Sequence, residues 1–177
     1  MGIHRQVFEK IGGFGNLRHG QDMDFSARIY DAGFAVHFIP DAYVFHKRRT
    51  NLSKFYRQIH NWGVARINLG RLHSQMLKPV HFLPAVILIG TVLTVLLTIT
   101  FNWALPLFYL MIGGMVVLSG IAFFQSLSQY KSLKVASLSI ITLFIQVYAY
   151  GIGFINGFIQ VHFLKKEEAR GITKNYY

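Results

Sequence analysis

The chain has no cysteine, so neither a disulfide framework nor a thiolate metal site is open to it, and cysteine says nothing of its redox compartment. Acid is nearly as scarce. Seven Asp and Glu stand against 18 Lys and Arg, a formal net charge of +11. Glu9, Asp22, Asp24, Asp31 and Asp41 all precede Ala42, and no acid follows until Glu167. Lys, Arg, Asp and Glu are all missing from Pro79 to Tyr130 and again from Val135 to Leu164. An apolar leader is missing too: Met1 to Lys10 is polar and mixed in charge, unlike a secretory signal, so export of the amino-terminal part is not expected. With 53% hydrophobic residues in 177, the composition is too apolar for an ordinary soluble domain, and a membrane protein is the first expectation.

The uncharged runs set the number of membrane passes. A pass needs roughly 20 residues of helix. The first run therefore divides into two spans, near Phe82–Thr100 and Leu105–Phe124, turning at Phe101-Asn102-Trp103, with Pro106 tolerated close to a helix start. The second run is long enough for one tilted span but not two, giving three in all. Cytoplasmic loops collect Lys and Arg. If the cations before Pro79 are cytoplasmic, two passes return Lys131 and Lys134 to that side, and the third leaves Lys165, Lys166, Arg170 and Lys174 outside, against the rule. A third segment broken near Gly151, Gly153 and Gly157 would avoid this, while Gly153-x-x-x-Gly157 equally permits close helix packing. A true third span is preferred on length. Gln146, Asn156 and Gln160 are expected to hydrogen-bond between helices rather than to line a transport path.

Between Ala42 and Lys78 stand Lys47, Arg48, Arg49, Lys54, Arg57, Arg66, Arg71 and Lys78, with Phe55, Tyr56 and Trp62 among them. Such a block suits nucleic acid, anionic headgroups or a diphosphate. It ends at the first long apolar run, where positive-inside residues and interfacial aromatics sit. That position favours a membrane surface, and nucleic acid is not an expected partner. Ser53 is placed to cap a helix running toward Leu72, with Phe55, Ile59, Trp62 and Leu69 toward one side and Lys54, Arg57, Asn61 and Arg66 more polar, as in a helix lying on a bilayer.

Before this block the pattern is mixed. Helices are predicted over Arg5 to Ile11 and Asp22 to Ala32, each stopped by glycine, and extended segments over Phe34 to Ile39 and Ala42 to Phe45. Residues 1–46 cannot bury a core of their own. Within them, a glycine-rich turn presents Asp22 and Asp24 at a helix start. Spacing alone leaves two readings open: helix capping with a favourable dipole contact, or a working acid. Arg28 lies one turn beyond Asp24 and could pair with it.

Gly12-Gly13-Phe14, a short loop, Gly20-x-Asp22-x-Asp24-Phe25-x-x-Arg28, Ala32-Gly33-Phe34 and Ile39-Pro40-Asp41-Ala42 with His46 together resemble the acceptor half of the family 2 glycosyltransferases, over residues 1 to about 75. The resemblance implies that Asp22 is the general base that takes a proton from the acceptor hydroxyl. Gln21 stands where Glu is usual, which removes one negative charge beside the base. The resemblance further implies acceptor or diphosphate contacts at Asp24, Arg28, His46, Arg48, Arg49, Gln58 and Trp62, with His46 also a candidate metal ligand. Gln58-Ile59-His60-Asn61-Trp62 is similar to the Gln-x-x-Arg-Trp motif of processive members, but Asn61 replaces the Arg, which points toward single-sugar transfer. Family members hold a divalent metal, Mg or Mn, through an Asp-x-Asp in an amino-terminal donor-binding half. Asp22-Met23-Asp24 is read as part of the acceptor motif instead, so the main metal ligands are expected outside this chain.

These implications assemble into one expectation. Residues 1–50 would be an α/β remnant of a GT-A glycosyltransferase domain, 51–78 a basic interfacial helix, 79–164 three transmembrane helices and 165–177 a polar tail. The protein would be an inverting glycosyltransferase in a bacterial inner membrane, its amino-terminal region cytoplasmic, moving sugar from a nucleotide-sugar to a lipid-linked or glycan acceptor at the bilayer. Lacking a donor half, this polypeptide would have little activity alone. A non-catalytic membrane protein, a remnant or a partner subunit, is the alternative.

Overall fold

The computed structural model describes residues 2–45 and 51–172. Among them are six α-helices: α1 Arg5–Ile11, α2 Gln21–Asp31, α3 Leu52–Leu72, α4 Leu83–Thr100, α5 Leu105–Tyr130 and α6 Leu133–Phe158, the last continuing as a π-helical turn over Ile159–Phe163. Short 3-10 turns lead from α3 into α4 and from α4 into α5.

Local chemistry accounts for the boundaries. Gly12, left-handed at φ 76°, closes α1 by donating its N–H to the Phe8 carbonyl. Gly20, at φ 81°, opens α2, a conformation that any residue with a Cβ adopts only under strain. Asn51, rather than Ser53, caps α3, its side-chain oxygen accepting from Ser53 N at 2.7 Å. Pro84 and Pro106 sit in the first turns of α4 and α5, where a missing N–H costs nothing.

The expected α/β remnant is not present. The described residues contain no strand, and the two segments predicted as extended form irregular, exposed chain in which Phe38 and Phe45 are 90% and 95% exposed. Their β-branched and aromatic composition suits a pleated sheet, but a strand exists only within a hydrogen-bonded ladder, and no segment among the described residues supplies one.

Two packing centres result. In the first, α2 lays Phe25 against Phe14, with ring centroids 4.5 Å apart, and against Phe8. In the second, α3 packs most extensively against α6, and Val64, Ile67, Ala85, Phe154, Val161 and Ala169 form a shared core. Phe25, Ile59, Val64 and Leu69 are fully buried, each burial stabilising by about 1.5–3 kcal/mol. The two centres meet where Gly20, at the head of α2, approaches Leu69 and Ala65 of α3.

Glycines make the α3–α6 contact possible. A Cβ on Gly153 would strike the His60 main chain, and one on Gly63 would strike the main chain at Tyr150 and Phe154. Helix α6 runs unbroken through Gly151, Gly153 and Gly157, so these residues serve close approach rather than a kink. Three stretches, Pro79–Thr100, Asn102–Tyr130 and Leu133–Phe163, are long and apolar enough to cross a membrane, and this marks the chain as a membrane protein. Of the polar residues in the third, Gln146 is exposed. Gln160 donates to the Asn156 side chain and the Arg170 carbonyl, at 3.0 and 2.9 Å. Gln160 thus binds the tail, not a neighbouring helix.

Candidate active site

The head of α2 presents two carboxylates to opposite environments. Asp22 is exposed, and among the described residues no hydrogen bond or ion pair engages its carboxylate. It lines an open cavity of about 600 Å³ together with Met23, Ser26, Ala27, Tyr30 and Asp31 of α2 and with Gln75 and Met76 of the turn after α3. Asp22, Ser26 and Tyr30, and beside them Met23, Ala27 and Asp31, are two rows at four-residue spacing along the helix. Free N–H groups at the helix start favour negative charge there.

Asp24 is the reverse case. It is 5% exposed, and both its oxygens are taken. Oδ2 accepts from Arg28 Nε at 3.1 Å, and Oδ1 lies 2.9 Å from His73 Nε2. Arg28 also donates to the carbonyls of Ile11 and Gly13, at 2.8 and 2.7 Å. The pair expected from i, i+4 spacing is therefore present, and its geometry is that of a brace: Arg28 ties the glycine-rich turn to α2. Gly15 completes it, since a Cβ there would lie 2.8 Å from Asp24 Oδ2.

His73 was invisible to motif reasoning. At the end of α3 it contacts Asp24 through Nε2 and lies 3.7 Å from Asp31 Oδ2 through Nδ1, its own side chain 10% exposed. It links the buried Asp24 to a carboxylate on the cavity wall, across 49 positions of sequence for the Asp24 contact. No local spacing signals such a contact.

The other expected site residues are not gathered here. Gln58 and Trp62 lie on α3 and do not line the cavity, Trp62 being 52% exposed. Asn61, in place of the motif's Arg, is buried and accepts from the backbone of Ile172 at 3.0 Å. His46, Arg48 and Arg49 lie outside the described residues. A divalent metal finds no ready set of ligands: among the described residues no three His, Asp or Glu side chains, the His73, Asp24 and Asp31 set included, are arranged so that they could hold a metal ion. Asp24, the obvious candidate, already faces a guanidinium and an imidazole.

The glycosyl transferase family group 2 model matches residues 1–155, and the chain belongs to that family. No curated protein and no solved structure matches it.

Proposed function

We propose that this chain carries the acceptor side of an inverting glycosyltransferase, with Asp22 as general base. The observation that carries the reading is the contrast at the head of α2. Asp24 is spent on Arg28 and His73, whereas Asp22 opens, without a partner among the described residues, onto a cavity of about 600 Å³.

In the proposed step the Asp22 carboxylate accepts the proton of an acceptor hydroxyl. The hydroxyl oxygen attacks the anomeric carbon of a nucleotide-sugar from the face opposite the diphosphate. The new glycosidic C–O bond forms as the bond to the diphosphate oxygen breaks, and the nucleoside diphosphate leaves with that electron pair. Positioned general bases contribute about 10²–10⁴-fold. The adjoining membrane helices favour a lipid-linked acceptor, whose tail would stay in the bilayer while its head reaches the cleft beside Gln75 and Met76.

The test uses the enzyme in its native membranes, supplied with radiolabelled UDP-glucose, UDP-N-acetylglucosamine and GDP-mannose in turn. Asp22→Asn should remove incorporation into the lipid or glycan fraction, by about 10²-fold or more, while labelled nucleotide-sugar still binds. Undiminished incorporation by Asp22→Asn would remove Asp22 from the reaction.

A further inference from the structure

Three apolar helices would carry the tail to the side opposite the amino-terminal region, since an odd number of passes changes sides. The contacts contradict that count. Glu168 Oε1 accepts from the backbone N–H of Arg18 at 2.6 Å, joining the tail to the loop ahead of α2. Asn68 of α3 forms a reciprocal pair with Ala169, donating to its carbonyl and accepting from its N–H, both at 2.9 Å. Asn61 accepts from Ile172 N at 3.0 Å. Ala169, Asn68 and Asn61 are all buried, so these bonds lie inside the fold.

A second set of contacts agrees. Gly153 meets His60, and Gly157 meets Val64 and Ile67, so the last turns of α6 lie against α3. Gly151 lies against the carbonyl of Pro84, in the first turn of α4. The place where the chain enters the apolar region and the place where it leaves are thus side by side.

We infer that the tail and the acceptor region occupy the same face of the membrane, and that the chain between Pro79 and Phe163 crosses the bilayer an even number of times. At least one of α4, α5 and α6 therefore begins and ends on one side, although each is long enough to span. Charge supports this independently. With three crossings Lys165, Lys166 and Arg170 fall on the side opposite the basic block, whereas an even count returns all three to it, as the positive-inside rule prefers. The exposed Lys165, Lys166 and Arg170 then share a side of the membrane with the exposed Lys54, Arg57 and Arg71, cations suited to anionic headgroups. This inference does not depend on the transfer chemistry, and its test does not read activity.

Because the protein lacks cysteine, single cysteines report their side of the membrane without background. Lys10→Cys in α1 and Glu167→Cys in the tail, both exposed positions, are exposed to a membrane-impermeant maleimide in right-side-out and in inverted vesicles. Both should react in the same orientation and be protected in the other; reaction in opposite orientations overturns the inference. If Glu167→Cys disturbs the tail, an Arg18→Cys, Glu168→Cys double variant takes its place. A short bis-maleimide should join the two within one molecule in intact membranes. Failure to join them where each single cysteine reacts with a monofunctional maleimide likewise overturns it.

Discussion

At the scale of single residues, Asp22 and Asp24 share a helix turn and differ entirely in what they can do. A carboxylate held by Arg28 and His73 is a structural anchor. Asp24→Asn leaves the guanidinium without its counter-ion and should cost about 1–3 kcal/mol of stability, read as an earlier thermal transition in detergent. His73→Ala removes the link between the end of α3 and α2, so Gln75 and Met76 lose their register with Asp22. Transfer should fall about tenfold or more, since small misplacements of a reacting pair are expensive, with nucleotide-sugar binding kept; an unchanged rate would leave His73 a bystander. His60 offers a pH handle. It is buried, with Nδ1 unpartnered, and burial lowers its pKa, while a hydrogen bond with Asn61 opposes the shift. His19 is lowered too, by burial first and by Arg18 next. Between those lowered values and the ordinary value of about 6.5, the unfolded chain binds more protons than the folded one. Stability is therefore fully present above that ordinary value and declines as pH falls below it. Unfolding midpoints at pH 5.5 and 7.5 should differ less in His60→Gln than in the parent; an equal difference would count against His60 as a source.

At the scale of elements, the α3–α6 contact depends on residues with no side chain. Gly153→Ala and Gly63→Ala each place a methyl group against main chain, which cannot retreat as a side-chain tip can, and should destabilise by about 1–3 kcal/mol. Gly113→Ala and Gly114→Ala in α5 meet nothing within 4 Å and should be neutral or stabilising by up to about 1 kcal/mol through helix propensity. Melting temperatures of the four variants in one detergent check the contrast, and a loss at Gly113 equal to that at Gly153 would refute it. The same contact marks the limit of what the sequence revealed. Helix positions were legible because their signals are local: Gly12 and Gly33 as stops, prolines in first turns, and unbroken apolar runs. The Asp24–Arg28 pair was legible for the same reason, being one turn of one helix. The burial of Asn61 and His60 under α6 was not, because Gly63 and Gly153 announce close approach only when paired across 90 positions. The sheet expected over residues 34–45 failed for the converse reason: its local pattern is right, but the partner strand that would make it a strand does not run beside it.

At the scale of the molecule, the tail acts as a latch across α3 and the end of α6. Gln160 Oε1 accepts from Arg170 N at 3.0 Å and its Nε2 donates to Arg170 O at 2.9 Å, while Asn68 does the same for Ala169. Two amide side chains thus satisfy both backbone groups of two consecutive residues. Ala169, 1% exposed, also joins the core of Val64 and Phe154. Asn68→Ala leaves one buried N–H and one buried carbonyl unpaired, at a cost of about 1–3 kcal/mol each. That is enough to release the latch without unfolding α3, whose contact with α6 continues through Gly153 and Gly157. Trypsin cleavage after Lys165 or Lys166, in vesicles presenting that face, should accelerate about tenfold or more in Asn68→Ala, since each 1.4 kcal/mol shifts a local opening equilibrium tenfold. Asn68→Asp keeps the acceptor for Ala169 N and loses the donor to its carbonyl, so its rate should fall between the two. Equal rates in all three proteins would mean that the apolar contact of Ala169 alone holds the tail.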